Sequence, residues 1–358
     1  MSEKISINKD ISLAKTLPSD FYLEDKYFNS TIKKIFKVSW QFITDLSSLN
    51  NKKQISFNIL EDSINEPILL IRDKGITALS NVCTHRGSIL CNSYSNNQLI
   101  QCPYHGRTFN LDGTLNNAPG FNKTKDFPSK KDNLVNIPIQ QFKSLIFASI
   151  KPKINLDNIF EDINSRLGWY PFDKLSLDLK TSNTYKLKAH WALYCENYLE
   201  GFHIPFIHHG LAGEVDLKNY KYVLLENGFL QYAISKDVKD SLKIEKGYVD
   251  YKKDIYAYYY WIFPNIMLNF YSWGLSINII EPINSKLTKI RFLSFPISGE
   301  KQPENSSSSL DKVEKEDQDI ILKVQEGINS NFYNRGRYSA EHEKGIHHFH
   351  RLLCKHLN

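Results

Sequence analysis

The sequence predicts an α+β protein: a small all-β domain, then an antiparallel sheet gripping a long C-terminal helix, with an N-terminal arm in front. Three observations predict it. From Val38 to Pro152, short β-branched and aromatic runs alternate with Asp, Asn, Gly and Pro, the pattern of short strands joined by turns. From Lys221 to Pro296 a second series of such runs is flanked by helical patterns, which makes a sheet with segregated helices instead of alternating βαβ units. At 358 residues, 41% apolar and 13% aromatic, the chain is long enough for two domains and a large core.

Residues 1–37 are polar with isolated aromatics (Phe21, Tyr22, Tyr27, Phe28, Phe36) and read as an arm with a short helix lying on the body. In the domain expected at 38–152, the strand-like runs are Ser56–Leu60, Pro67–Arg72, Ile76–Asn81, Leu99–Cys102, Thr108–Leu111 and Leu145–Ile150. Asp112-Gly113 is a strong turn signal after Leu111.

Within this domain stand Cys83-Thr84-His85 and, after sixteen intervening residues, Cys102-Pro103-Tyr104-His105. Two thiolates and two imidazoles so arranged can hold a [2Fe–2S] cluster of the Rieske type, in which two histidines replace two cysteines on one iron. Structural zinc is the rival, but zinc fingers prefer Cys-x₂₋₄-Cys and His-x₃₋₅-His, whereas each loop here carries one ligand of each kind. Gly87 and Gly106 after the histidines, and Pro103 in the second loop, suit two tight turns. The turn at Asp112-Gly113 sets His105 near a hairpin tip, where it can face outward. A cluster moves electrons and makes no bonds, so something in the chain or its partners must use them.

In the domain expected at 153–358, a helix is expected over Leu156–Leu167, followed by Glu196-Asn197-Tyr198-Leu199-Glu200-Gly201-Phe202-His203-Ile204-Pro205-Phe206-Ile207-His208. Steps of three and four place Glu200 and His203 on one helix face. Pro205 then interrupts the helix, freeing His208 to swing back beside His203. Two histidines on an apolar segment are commonly plain core or surface residues. In a chain that already carries an electron-transfer cluster, they are better read as part of the two-histidine, one-carboxylate triad of non-haem Fe(II) oxygenases.

The third ligand is sought among carboxylates elsewhere. Between Leu310 and Ser330, Val313, Asp317, Ile320, Ile321, Val324 and Ile328 form one helical stripe. Asp317 is the choice over Asp319, which sits among lysines, because a carboxylate in an apolar stripe must be paired, protonated or metal-bound. Strands are expected at Tyr222–Leu225, Leu230–Ile234, Ile255–Phe263, Ile266–Tyr271, Leu275–Ile280 and Lys289–Phe295. Their aromatics (Tyr256, Tyr258, Tyr260, Phe263, Phe270, Tyr271, Trp273) are core by default, with some available to line a pocket. Lys301–Ser309 reads as a polar, mobile loop.

The net charge of +6 is spread along the chain, which argues against a nucleic-acid partner. No apolar run reaches the about 20 residues of a membrane span, and no apolar signal segment opens the chain, so a cytoplasmic location is expected. Cys91, Cys195 and Cys354 stand at unpatterned positions, as small buried residues of a reducing compartment.

With both constellations in place, the chain resembles the ring-hydroxylating oxygenase α-subunit family of Rieske-type non-haem iron oxygenases. The likeness runs from about Val38 to the C-terminus. Where respiratory Rieske proteins carry extra loop cysteines, Ser88 and Tyr104 stand here, as in the low-potential Rieske domains of oxygenases. The resemblance implies a helix-grip catalytic domain, with Cys83, His85, Cys102 and His105 as cluster ligands and His203, His208 and Asp317 as iron ligands. It makes Glu200 the carboxylate that bridges to a neighbouring subunit's cluster. It further implies a homotrimer, O2 and a small organic substrate, and electrons from NAD(P)H through a separate reductase or ferredoxin, since no dinucleotide fingerprint occurs. Glutamate at 200, where most members have aspartate, and the segment from Val324 to His350 resemble the choline monooxygenase-like, quaternary-ammonium branch; an aromatic acid is the alternative substrate. An electron carrier without catalytic iron, or a ligand-binding helix-grip protein, would leave His203, His208 and Asp317 without a task.

Overall fold

A computed structural model of the chain describes residues 4–208, 215–299 and 306–358. The chain forms two compact units, Trp40–Pro152 on one side and Met1–Ser39 with Lys153–Asn358 on the other.

The unit Trp40–Pro152 is built from three small antiparallel sheets. Its central strand Glu66–Arg72 buries four residues in a row, Ile68 to Ile71, each at most 2% exposed. Successive side chains of a strand point to opposite faces, and both faces are covered here. Leu69 and Ile71 enter a core with Cys83, Cys102 and Phe109, while Leu70 enters a second core with Ile55, Ala78 and Ile146. The two ligand cysteines are thus part of the packing. Asp112-Gly113 turns between Thr108–Phe109 and Leu115–Asn117 with Gly113 at φ +87°. Strands at Gln41–Asp45, Tyr94–Ser95, Leu115–Asn117 and Ile139–Phe142 go beyond those expected from the sequence.

In the other unit, seven antiparallel strands lie in the order Asp178–Leu187, Leu287–Pro296, Gly274–Asn284, Ile266–Tyr271, Ile255–Ile262, Gly228–Ser235 and Val215–Leu225. Asp178–Leu187 is an edge strand, polar and with only Leu187 buried, and gives no apolar signal in the sequence. The long helix Ser306–Ile328 begins inside the stretch expected to be a loop; residues 301–305 lie outside the described residues. Its stripe is narrower than expected, since Ile321 and Ile328 are buried but Val324 is 45% exposed. Asp317 is buried and Asp319 is exposed.

A helix that the sequence reading lacked, Lys344–Leu357, packs on the helices Trp191–Tyr198 and Asp25–Lys34. Phe349 ties it to the first of these and to the sheet, with its ring 5.7 Å from Trp191 and 5.2 Å from Trp261 on the strand Ile255–Ile262. A buried network fixes the helix Asp157–Leu167 to the sheet: Arg166 binds Asp162 at 3.0 Å and also Asp250, which accepts from Tyr258 at 2.8 Å. Among the described residues no helix is long and apolar enough to cross a membrane.

Candidate functional site

The two loops of the first constellation are built alike. Cys83 N donates to Ser88 O (2.8 Å) and Gly87 N to Cys83 O (3.0 Å), while Cys102 N donates to Arg107 O (2.8 Å) and Gly106 N to Cys102 O (3.2 Å). Each turn closes at a glycine with positive φ, Gly87 at +72° and Gly106 at +69°, a conformation that a β-carbon disfavours. The loops bring His85 and His105 to a ring separation of 4.8 Å over buried Cys83 and Cys102. His105 is exposed, as the hairpin argument expects.

These groups fit a cluster on two observations. Nδ1 of His85 is buried with no hydrogen-bond partner, the condition of a nitrogen reserved for a metal. Burial pushes both thiols up, but at Cys102 the Tyr104 and His105 amides, with Cys83 and Ser88, bring it below its ordinary value while Cys83 stays above its own, so the two sulfurs lie close enough to share a proton and Cys102 is the readier thiolate. Arg107, 2% exposed, braces the loops by donating to Thr84 Oγ1 at 3.1 Å, and Thr84 in turn donates to Asp132 O at 2.7 Å.

In the other unit, the helix Trp191–Tyr198 stops earlier than the three- and four-residue steps suggest, with Leu199 as its cap. Glu200 and His203 therefore meet through a turn and not along a helix face: the Glu200 carboxylate accepts from the amides of Phe202 and His203 and contacts His203 Nδ1. Pro205 likewise opens the short helix Ile204–Ile207 instead of ending the previous one, in keeping with the tolerance for proline in a first turn. That helix delivers His208 beside His203, with ring centroids 5.1 Å apart.

Asp317 reaches both imidazoles, His208 Nε2 at 3.0 Å and His203 Nε2 at 3.6 Å. Nε2 or Nδ1 of the two histidines and an oxygen of Asp317 all lie within 4.8 Å of one another, a set that can close on one metal ion. The far nitrogens are occupied by carboxylates: His203 Nδ1 by Glu200, and His208 Nδ1 by Glu316 at 2.8 Å. Such partners fix the ring orientation and make the free nitrogen a better ligand. Burial pushes His208 down, but Asp317 and Glu316 together hold it above its ordinary value, so the site favours positive charge.

The triad opens on a cavity of about 210 Å³ lined by Tyr194, Tyr198, Tyr220, Tyr256, Tyr259 and Tyr271 with Asn269, Asn278, Gln231 and Glu314. It is smaller than the about 300–1,000 Å³ typical of drug-sized pockets. Of the aromatics singled out in the sequence, Tyr256 and Tyr271 reach it, with Trp273 stacked on Tyr271 at 5.3 Å. Tyr258, Tyr260, Phe263 and Phe270 are fully buried core. Glu314, Glu316 and the tyrosines at 194, 198, 220 and 259 were not anticipated. Helical spacing from Asp317 places Glu314 and Val313 on its side of the helix, the one signal that pointed to them.

Residues 39–128 match the Rieske [2Fe–2S] domain and residues 175–358 the ring hydroxylating alpha subunit (catalytic domain). The carnitine monooxygenase oxygenase subunit of Escherichia coli is 28% identical over 370 residues, covering 96% of this chain and 94% of that one. The chloroplastic choline monooxygenase of Amaranthus tricolor is 30% identical over 360 residues, covering 96% and 78%. The fold is that of a quaternary ammonium Rieske monooxygenase in complex with L-carnitine, with a TM-score of 0.80 at 23% identity over 99% of this chain and 100% of that one. This chain belongs to the ring-hydroxylating oxygenase α-subunit family and is an oxidoreductase with a Rieske domain and a non-haem iron catalytic domain.

Proposed function

We propose that the chain is the terminal oxygenase of a quaternary ammonium monooxygenase system, oxidising a C–H bond next to the ammonium nitrogen of a small substrate. Cys83, His85, Cys102 and His105 hold the [2Fe–2S] cluster, and His203, His208 and Asp317 hold a mononuclear Fe(II). When bound, the cluster supplies electrons one at a time and the iron supplies dioxygen activation. One observation carries the reading: three ligand atoms converge beside a tyrosine-walled cavity, with each histidine turned by its own carboxylate.

The residues divide the work. Glu200 and Glu316 orient the imidazoles and hold their Nδ1 protons. The tyrosine rings exclude water and offer π faces to a cation, an attraction of about 0.5–2 kcal/mol per ring. Burial pushes the Tyr198 and Tyr259 hydroxyls well above their ordinary value, so these walls stay neutral. Glu200 is further the bridge by which an electron arrives from the cluster of the next subunit in a homotrimer. Phe202 and Phe206 beside it, 45% and 71% exposed, supply apolar surface for such an interface to cover. The electrons come from NAD(P)H through a separate reductase or ferredoxin, and the three cysteines outside the cluster, Cys91, Cys195 and Cys354, all free thiols, suit a cytoplasmic setting.

Oxygen uptake by the iron-loaded protein with a reductase tests this across choline, glycine betaine, carnitine and simple aromatic acids. Uptake coupled to product with a trimethylammonium compound is expected. Uptake with aromatic acids alone would overturn the substrate class and keep the oxygenase.

A further inference from the structure

The two ligand loops carry two arginines, and the fold treats them differently. Arg86, next to His85, is exposed. Arg107, two residues past His105, is 2% exposed. Its side chain leaves the second loop and crosses to the first, where Nη1 donates to Thr84 Oγ1 at 3.1 Å; Thr84 stands between Cys83 and His85. Its guanidinium lies 4.7 Å from the Phe121 ring and 5.2 Å from the Phe127 ring, and Phe121 is edge-on to His85 at 5.2 Å. The cation thus approaches the ligand set from two sides, through Thr84 and through Phe121.

This charge is only partly compensated. Asp132 Oδ1 lies 3.8 Å from Nη1, on a side chain 22% exposed, while its other oxygen accepts from the Ser129 amide and hydroxyl. Nε of Arg107 is buried with no hydrogen-bond partner, so the pair lacks the two-bond fork of a tight arginine–carboxylate contact. Aromatic faces attract a cation without cancelling its charge. Burial is the larger cause at both groups, but Arg107 adds to the lowering of His85 and opposes the rise of Cys83. A brace between loops needs length and a donor; this one also brings a full positive charge into a site of low dielectric.

One-electron reduction adds a negative charge to a cluster and forms no bond. A fixed positive charge beside it favours that state. We propose that Arg107 raises the reduction potential of the [2Fe–2S] cluster, drawing the electron from the reductase or ferredoxin onto it. The inference rests on the cluster assignment above and adds a residue that touches neither metal: Arg107 acts through its field, with Thr84 and the two phenylalanines fixing its place and Asp132 opposing it.

Redox titration of the holoenzyme with dithionite, followed by the cluster's visible absorbance, tests it. Arg107→Gln keeps a donor for Thr84 and loses the charge. It is expected to make reduction about tenfold less favourable, the scale of one charge about 10 Å away at intermediate dielectric, which lowers the potential by about 59 mV. Arg107→Lys keeps the charge without the planar fork and is expected to stay closer to wild type. Asp132→Asn removes the opposing charge and is expected to shift the potential upward, which tests the sign even where Arg107→Gln fails to hold its cluster. A wild-type potential in Arg107→Gln, an equal fall in Arg107→Gln and Arg107→Lys, or no upward shift in Asp132→Asn overturns the inference and leaves the cluster assignment standing. Wild-type protein without a Rieske absorbance overturns both.

Discussion

Two consecutive residues of one helix, Glu316 and Asp317, take the two nitrogens of a single imidazole, His208. Neighbours on a helix diverge by about 100°, so one can pass on each side of a ring set against the helix. The carboxylate at Glu316 leaves Nε2 of His208 as the nitrogen free for metal. Glu316→Gln is expected to weaken iron binding by about 10–100-fold and to leave cluster absorbance unchanged, as read by iron titration beside the visible spectrum; unchanged iron affinity would show that the ring needs no such partner. His190 adds a pH dependence. Its Nδ1 accepts from Ala192 N at 3.3 Å at the start of the helix Trp191–Tyr198, and burial depresses its pKa to about 3. The folded state keeps it neutral while the unfolded chain takes a proton below about pH 6.5. Its contribution is therefore complete above that pH and is lost as pH falls toward 3, at up to about 1.4 kcal/mol per pH unit. His190→Asn, which keeps a capping acceptor and cannot titrate, is expected to flatten the fall of unfolding free energy between pH 7 and 5. At this scale the Cys, His and Asp ligand candidates were legible because residue type and spacing name them. Glu316 was not, because its part depends on which side of His208 the helix presents.

The turn from Leu199 to His203 is positioned by an element far along the chain. Gly345, in the first turn of the helix Lys344–Leu357, sits where a β-carbon would run into the Leu199 carbonyl oxygen and lie 2.7 Å from the Phe229 ring. Gly345→Ala is expected to cost about 1–3 kcal/mol by overpacking. It should also lower iron retention more than cluster content, since it pushes on the residue before Glu200; equal loss of both metals in the variant would contradict this. The helix itself was readable, for Ile346, Phe349, Leu353 and Leu357 follow steps of three, four and four and are all buried. The early stop after Tyr198 was not readable, because Glu200 bends the chain through bonds to amides two and three residues on, where the apolar pattern runs on unbroken.

Across the whole molecule, the two constellations belong to different compact units, with both cysteines and both histidines of the first in Trp40–Pro152 and the histidine–carboxylate triad in the other. The α+β class and the strand-rich centre of each unit followed from alternating apolar runs. The place of the N-terminal arm did not, because its anchors are remote: Tyr22 donates to Glu196 at 2.7 Å and Arg335 to Thr16 O at 2.6 Å. No local pattern announces pairings between residues 174 and 319 positions apart. The central claim is that electrons stored at the first constellation are spent at the second. It is tested most directly by reducing the cluster chemically, removing the reductant, and mixing with oxygen and choline while following the cluster's visible absorbance. Rapid reoxidation with product is expected in wild type, and a cluster that stays reduced over the same interval is expected in Asp317→Ala. Equally fast reoxidation with product in the variant would contradict the account.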